Sequence, residues 1–233
     1  MICFVDYRIS NEELASLEKL NFTVIKIPKS TLVYPAIDGH VDIQLNILEQ
    51  NSKTVIINKD LPQNFKDLLC QNNINFIESS KSLKKKYPGN VFLNSLILKN
   101  YYIHNLKYSD PNILPFIKNK EVINVNQGYT KCSVLPVNEK ALITNDPGIY
   151  TKLSEYDFDI LLLPYGDISL TGFEYGFIGG VGGMISENEM AFFGSLDFYK
   201  YGQQVKDFLA KYNVSPIYLR NGELIDRGSI LVL

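Results

Sequence analysis

Gly39-His40-Val41-Asp42-Ile43 is the stretch on which the reading of this chain turns. Its pattern, a glycine followed by an apolar-alternating start, returns four times. The other copies are Gly89-Asn90-Val91-Phe92-Leu93, Gly128-Tyr129-Thr130-Lys131-Cys132, Gly166-Asp167-Ile168-Ser169-Leu170 and Gly228-Ser229-Ile230-Leu231-Val232. Most copies lead into a second apolar strand, a helix-like stretch and a third apolar strand. After Gly39, the β-branched run Thr54–Ile57 reads as a strand. Phe65, Leu68 and Leu69 then fall at helical spacing, and Ile74–Ile77 closes the unit. In the fourth unit Val205, Phe208, Leu209 and Tyr212 recur at i, i+3, i+4 and i+7, one apolar helix face.

The fifth unit is split between the ends of the chain. Ser229–Leu233 supplies its first strand, while Ile2–Val5, a helix over 11–20 and Phe22–Ile25 supply the rest. Ser10 and Glu13 stand at capping-box spacing before that helix. The expected architecture is therefore α/β. Five pseudo-symmetric ββαβ-type repeats form a ring, closed by pairing the N- and C-terminal segments, which removes two sheet edges. The repeats run approximately over 37–86, 87–125, 126–164, 165–225, and 226–233 with 1–36, as one domain over 1–233.

Composition narrows the function classes. Apolar residues are 45% and charged residues 21% of 233, a globular balance with enough chain for a sizeable core. A net charge of −2 argues against a nucleic-acid surface. The cluster Lys81, Lys84-Lys85-Lys86 reads as a solvated segment. No 18-residue apolar run offers a membrane span, and the N-terminus has no signal-peptide pattern. Three cysteines fit a reducing compartment, so the expected location is cytoplasmic.

The unusual polar residues sit in the first positions of the Gly-led starts. On a strand, His40 and Asp42 would share one face. They read either as an acid/base histidine with a cation-binding carboxylate or as a polar strand edge. Cys132 is the one thiol at a strand start beside polar groups, either a nucleophile that needs a base in reach or a small buried hydrophobe. Cys3, in an apolar strand, and Cys70, on a Leu-rich helix, read as core thiols, and His104, mid-strand, as structural. Two histidines and no paired thiols give a metal site poor support, and no cofactor motif is present. The run 172–183, rich in glycine, reads as a bent strand or as a loop bordering a site.

These residues carry a resemblance. Asp38-Gly39-His40-Val41-Asp42 resembles the Gly-His-(Val/Ile)-Asp motif of agmatine deiminases and the His-Leu-Asp motif of arginine deiminases. Leu93-Asn94 is similar to their Leu-Asn strand, and Gln127–Ser133 to the Gly-rich strand that carries their nucleophilic Cys. Gly166-Asp167 resembles their Arg-Asp strand, and also a Gly-Asp stretch of dimethylarginine hydrolases. Asp226-Arg227-Gly228-Ser229-Ile230 resembles Glu-Gly-Gly-Ser-Ile. The cyclic order is the same with a different cut point, as in a circular permutation of the five-bladed α/β propeller of the guanidino-group-modifying (pentein) superfamily. The chain also looks like an uncharacterised bacterial domain family assigned to that fold.

The resemblance implies a Cys-dependent hydrolase or, alternatively, an amidinotransferase acting on a small guanidine or amidine. Cys132 would be the nucleophile, His40 the acid/base, and Asp226 the carboxylate that orients the histidine. Asp42, Asp167 and Asn94 would bind substrate. A non-catalytic binding or interaction protein on the same fold is the competing expectation. The enzyme reading requires Cys132 Sγ within about 6 Å of His40, beside a pocket.

Overall fold

A computed structural model describes residues 1–233, and it contains five three-stranded sheets of one repeated design. In each, the first strand runs antiparallel to the second and the second parallel to the third. In the first repeat these are Leu45–Glu49, Thr54–Ile57 and Asn75–Glu78, with helix Gln63–Gln71 as the crossover. The other middle strands are Tyr101–His104, Ala141–Thr144, Glu189–Phe192 and Ile2–Asp6. They are almost wholly buried, which is why they read as β-branched or aromatic runs without polar alternation. The third strands are half-exposed, as in Glu121–Asn124.

The fifth sheet joins the chain ends. Ile2–Asp6 pairs antiparallel with Leu231–Val232, Cys3 opposite Val232 and Phe4 opposite Leu231, and parallel with Thr23–Ile27. The helix Asn11–Lys19 begins with the expected capping box. Ser10 Oγ accepts from Glu13 N at 3.2 Å, and a Glu13 carboxylate oxygen accepts from Ser10 N at 2.8 Å.

Successive units are tied by hydrogen bonds at the approaches to their first strands. Asn46 Nδ2 donates to Leu93 O (2.9 Å), Lys131 N to Asn94 O (3.0 Å), and Lys131 Nζ to Gly179 O (3.3 Å). Ser229 N donates to Gly180 O (3.1 Å), and Asp42 N returns from the first unit to Gly228 O of the fifth (3.2 Å). Each unit is thus bonded to the one that follows it. No helix is long and apolar enough to cross a membrane.

Three expectations are corrected. The Gly-led starts are not strands along their whole length. Val41–Gln44 and Thr130–Ser133 are single helical turns, and the strands begin only at Leu45 and Val134. The fourth unit does not begin at Asp167–Leu170, where only an isolated bridge between Ser169 and Ile225 forms. Its first strand is Gly182–Ser186, preceded by the 3-10 turn Ile178–Gly180, so the Gly-rich run supplies both the turn and the strand. Cys70 is exposed: its helix buries Phe65 and Leu69, i and i+4, and Cys70 falls on the outer face.

Candidate active site

The site is assembled from the approaches to four first strands. His40 caps the turn Val41–Gln44, which carries Asp42, and Cys132 lies in the turn Thr130–Ser133. On these turns the side chains do not alternate as on a strand. They nevertheless converge: one ligand atom from each of His40, Asp42 and Cys132 lies within 4.8 Å of the others, all buried. Cys132 Sγ donates to Asp42 Oδ2 at 3.2 Å.

Asn94 clamps this pair. Its Nδ2 donates to Asp42 O (2.9 Å) and to Cys132 Sγ (3.1 Å), and its Oδ1 accepts from Cys132 N (3.1 Å). Every hydrogen-bonding group of the Asn94 amide is thus taken up by protein, and the side chain is fully buried. Its place in the structure is under the thiol, not in the cavity.

Asp226 sits on the other side of His40. Its Oδ2 accepts from Phe177 N (2.9 Å) and its Oδ1 from Gly228 N (3.0 Å), which fixes the carboxylate. Oδ1 lies 3.8 Å from His40 Nδ1, too long for a hydrogen bond but close enough for charge to act. Two glycines make this packing possible. A Cβ on Gly180 would stand 1.8 Å from Asp226 Oδ1. One on Gly228, whose φ is +69°, would stand 2.3 Å from His40 Cβ. Arg227 turns away to Glu13, at 3.2 Å.

Asp167 is not brought to this cluster. It is exposed, with φ at +61°, and its carboxylate accepts from Lys200 N at 2.5 Å. The strand start that the resemblance of Gly166-Asp167 to an Arg-Asp strand implied does not form there. His104 is also apart from the cluster, buried between Ser109 Oγ (2.8 Å) and Gly128 O (3.1 Å). Burial holds its pKa down at about 4, so it is neutral and structural, as expected.

Electrostatics sets the resting state. Burial, then the charges of Asp42 and Asp226, push the Cys132 thiol well above its ordinary range. Burial also raises Asp226, against the pull of His40 and its two backbone donors. Within the His40–Asp42–Cys132 cluster three buried polar atoms have no partner: His40 Nδ1, His40 Nε2 and Asp42 Oδ1. Unmet buried acceptors and donors are costly, so these atoms mark where a ligand would be held. His40, Asp42 and Cys132 also carry the donor types of a transition-metal site, with Asn94 and Ser229 already bonded to two of them.

Above the cluster opens a cavity of about 350 Å³, with His40, Cys132 and Asp226 in its lining. Its walls are aromatic, including Tyr34, Tyr129, Phe173 and Phe177, and Glu174 contributes a carboxylate. Tyr34 and Tyr129 hydroxyls meet at 3.1 Å. Sequence reasoning missed this wall, because the aromatics come from three separated segments with no common period. Ser229 was missed as well, and Lys131, which on a strand would face away from the thiol, is instead buried with its Nζ on Ser229 Oγ at 2.9 Å. The available signal for the fourth unit's contribution was the Gly179-Gly180 pair, which marks a close backbone approach.

Several solved structures share this fold. An amidinotransferase from Microseira wollei, of the saxitoxin biosynthetic pathway, aligns with TM-score 0.57 and 11% identity over 94% of this chain and 74% of its own. The inosamine-phosphate amidinotransferase of Streptomyces griseus aligns with TM-score 0.50 and 14% identity over 90% and 74%. DDAH from Pseudomonas aeruginosa, solved with citrulline, aligns with TM-score 0.54 and 9% identity over 93% and 90%. At such identities the likeness is one of fold: the chain has the mixed α/β architecture of the pentein enzymes, its five small sheets fitting their five repeats. No curated protein sequence matches the chain. Residues 4–231 match the family of unknown function DUF6873, and the chain belongs to that family.

Proposed function

We propose that this protein is a thiol-dependent enzyme acting on a small guanidine or amidine, within a ring of five α/β blades closed at the chain termini. The observation that carries the reading is the convergence of His40, Asp42 and Cys132 within 4.8 Å, with His40, Cys132 and Asp226 lining one cavity. The unpartnered Asp42 Oδ1 is suited to accept an N–H from a planar cation, in a charge-assisted bond.

The steps follow from the charges. The resting thiol is protonated because it is buried between two carboxylates. A bound guanidinium offsets those carboxylates and makes the thiolate accessible, with the Cys132 proton passing to His40. The thiolate then attacks the guanidino carbon, forming a C–S bond. The C–N bond to the leaving amine breaks as His40 returns the proton to that nitrogen. Water next gives a proton to His40 and attacks the same carbon, and the C–S bond breaks as His40 passes that proton to the departing sulfur, restoring the thiol and a neutral His40. Asp226, pinned by two backbone N–H groups, acts on His40 by charge across 3.8 Å.

If an amine attacks in place of water, the same intermediate gives amidino transfer. The amidinotransferases among the structural relatives favour keeping this second outcome. The test is incubation with a haloacetamidine, an alkylating guanidinium mimic, followed by peptide mapping. Adduct at Cys132 is expected, and adduct confined to the exposed Cys70 overturns the reading. Screening guanidines for ammonia, urea or amine release, with and without an added acceptor amine, separates hydrolysis from transfer.

A further inference from the structure

The chemistry at Cys132 uses no side chain of the loop 170–177. This loop lies between the strand Asp159–Leu162 and the 3-10 turn Ile178–Gly180. It contributes Leu170, Phe173, Glu174, Tyr175 and Phe177 to the lining of the cavity that holds His40 and Cys132. Two of its rings meet aromatics from other units. Phe173 packs on Tyr34 with ring centroids 5.4 Å apart, and Phe177 lies 6.3 Å from Tyr129. The C-terminal end of the loop is fixed to the site itself, because Phe177 N donates to Asp226 Oδ2 at 2.9 Å. A molecule whose reacting carbon sits at Cys132 therefore runs its remaining atoms along these rings.

The lining carries charge of one sign. No lysine or arginine belongs to it, and its carboxylates are Asp226, beside His40, and the exposed Glu174. The cations closest along the chain are engaged elsewhere. Arg227 pairs with Glu13, Lys131 Nζ bonds to Ser229 Oγ, and Arg8, which donates to Pro35 O and Ala36 O beside Ile37, pairs with Asp6. A substrate carboxylate or phosphate in the cavity would lose water without meeting a counter-charge, which is strongly unfavourable. The Tyr34 and Tyr129 hydroxyls already bond to each other at 3.1 Å. Aromatic faces do attract an ammonium, but one placed here would shed water with only the exposed Glu174 to meet it, and exposed ion pairs contribute little. What the walls offer in quantity is apolar surface, in a cavity of a size that takes a small molecule.

We propose that the substrate has an apolar tail: the site takes a guanidine or amidine carrying an alkyl or aryl group without carboxylate or phosphate, and Tyr34, Tyr129, Phe173 and Phe177 select it. This rests on the guanidine-directed reading of the site. The test measures how well guanidines of one chain length protect Cys132 from chloroacetamidine, read as the labelling rate by site-resolved mass spectrometry. n-Pentylguanidine ends in a methyl group, agmatine has an ammonium in its place, arginine has an amino-acid head, and methylguanidine has no chain.

In wild type, n-pentylguanidine should half-protect at a concentration at least about tenfold below that of methylguanidine, because its added methylenes enter an apolar cavity. Arginine should protect no better than methylguanidine, and agmatine less well than n-pentylguanidine. Phe173→Arg, at an exposed side chain, places a cation in the lining. It should improve protection by arginine about tenfold or more and weaken protection by n-pentylguanidine. Glu174→Arg, at the neighbouring exposed position, should shift the ligands in the same direction and decides the matter if Phe173→Arg does not fold. Protection by methylguanidine, agmatine or arginine equal to or better than that by n-pentylguanidine in wild type overturns the proposal and leaves the thiol reading standing. An unchanged ligand order in the folded variants overturns the selecting role of the loop. Failure of chloroacetamidine to label Cys132 in wild type overturns both readings.

Discussion

At the scale of single residues, the two histidines show how surroundings divide one side-chain type into two roles. His104 has both ring nitrogens engaged and a pKa near 4, whereas His40 has both nitrogens unpartnered beside a thiol and two carboxylates. The sign of the His104 effect on stability is fixed. Its folded pKa is below the unfolded value of about 6.5, so the neutral form is the one that folding favours. Its contribution is full above pH 6.5 and is lost as pH falls toward 4, by at most about 3 kcal/mol. Urea denaturation of wild type and His104→Gln over pH 4–7 checks this, and the variant should show a flatter dependence in that window. At the site, Cys132→Ser should abolish amidine labelling without loss of fold. His40→Ala should leave a protein that fails to turn over any substrate found, read by product release under saturating substrate.

At the scale of elements, the decisive pieces are the one-turn helices before the first strands. Asp42 and Cys132 are each held in a turn of four residues, too short to show any period. Middle strands, third strands and helices were legible, because β-branched runs such as Thr54–Ile57 and apolar faces such as Val205 and Leu209 report burial directly. The fourth unit was misplaced, because Gly166-Asp167 looked like the other starts while the actual turn, Ile178–Gly180, carries no polar residue. What Ile178–Gly180 contributes is room. Gly180→Ala would drive a Cβ into the Asp226 carboxylate, so a loss of roughly 1–3 kcal/mol is expected together with slower amidine labelling. Gly172→Ala, at an exposed position where a Cβ would meet nothing but φ is +89°, should lose some stability to backbone strain alone while labelling stays unchanged, so thermal unfolding and labelling rate together separate strain from the loss of room beside Asp226.

At the scale of the whole molecule, the two chain ends share one sheet. Ile2 N donates to Leu233 O at 3.0 Å and Leu233 N to Ile2 O at 2.9 Å, and Leu231 and Leu233 pack on the cluster containing Ile2 and Phe4. Removing residues 231–233 should cost at least about 3 kcal/mol, from the antiparallel pairing with Ile2–Phe4, the Gln50 bond to Val232 O and the half-buried Leu231, Val232 and Leu233. Chemical denaturation measures this. Joining residue 233 to residue 1 through a short linker and opening the exposed turn at 51–53 should instead give a folded protein that still labels at Cys132. Such a permutant tests whether the units are equivalent steps around a ring.

The sequence by itself determined the repeat, the pairing of N- and C-terminal segments in one unit, and the chemical identity of His40, Asp42, Cys132 and Asp226. Each of these follows from local patterning, since apolar periodicity reports burial and reactive side chains are visible as letters. Tertiary structure alone decided which of those letters meet. It set Asp167 on the surface, turned Asn94 under the thiol, and brought Lys131 and Ser229 behind Asp42. Those outcomes depend on contacts between units as far apart as residues 42 and 229, and no local period encodes a contact across that separation.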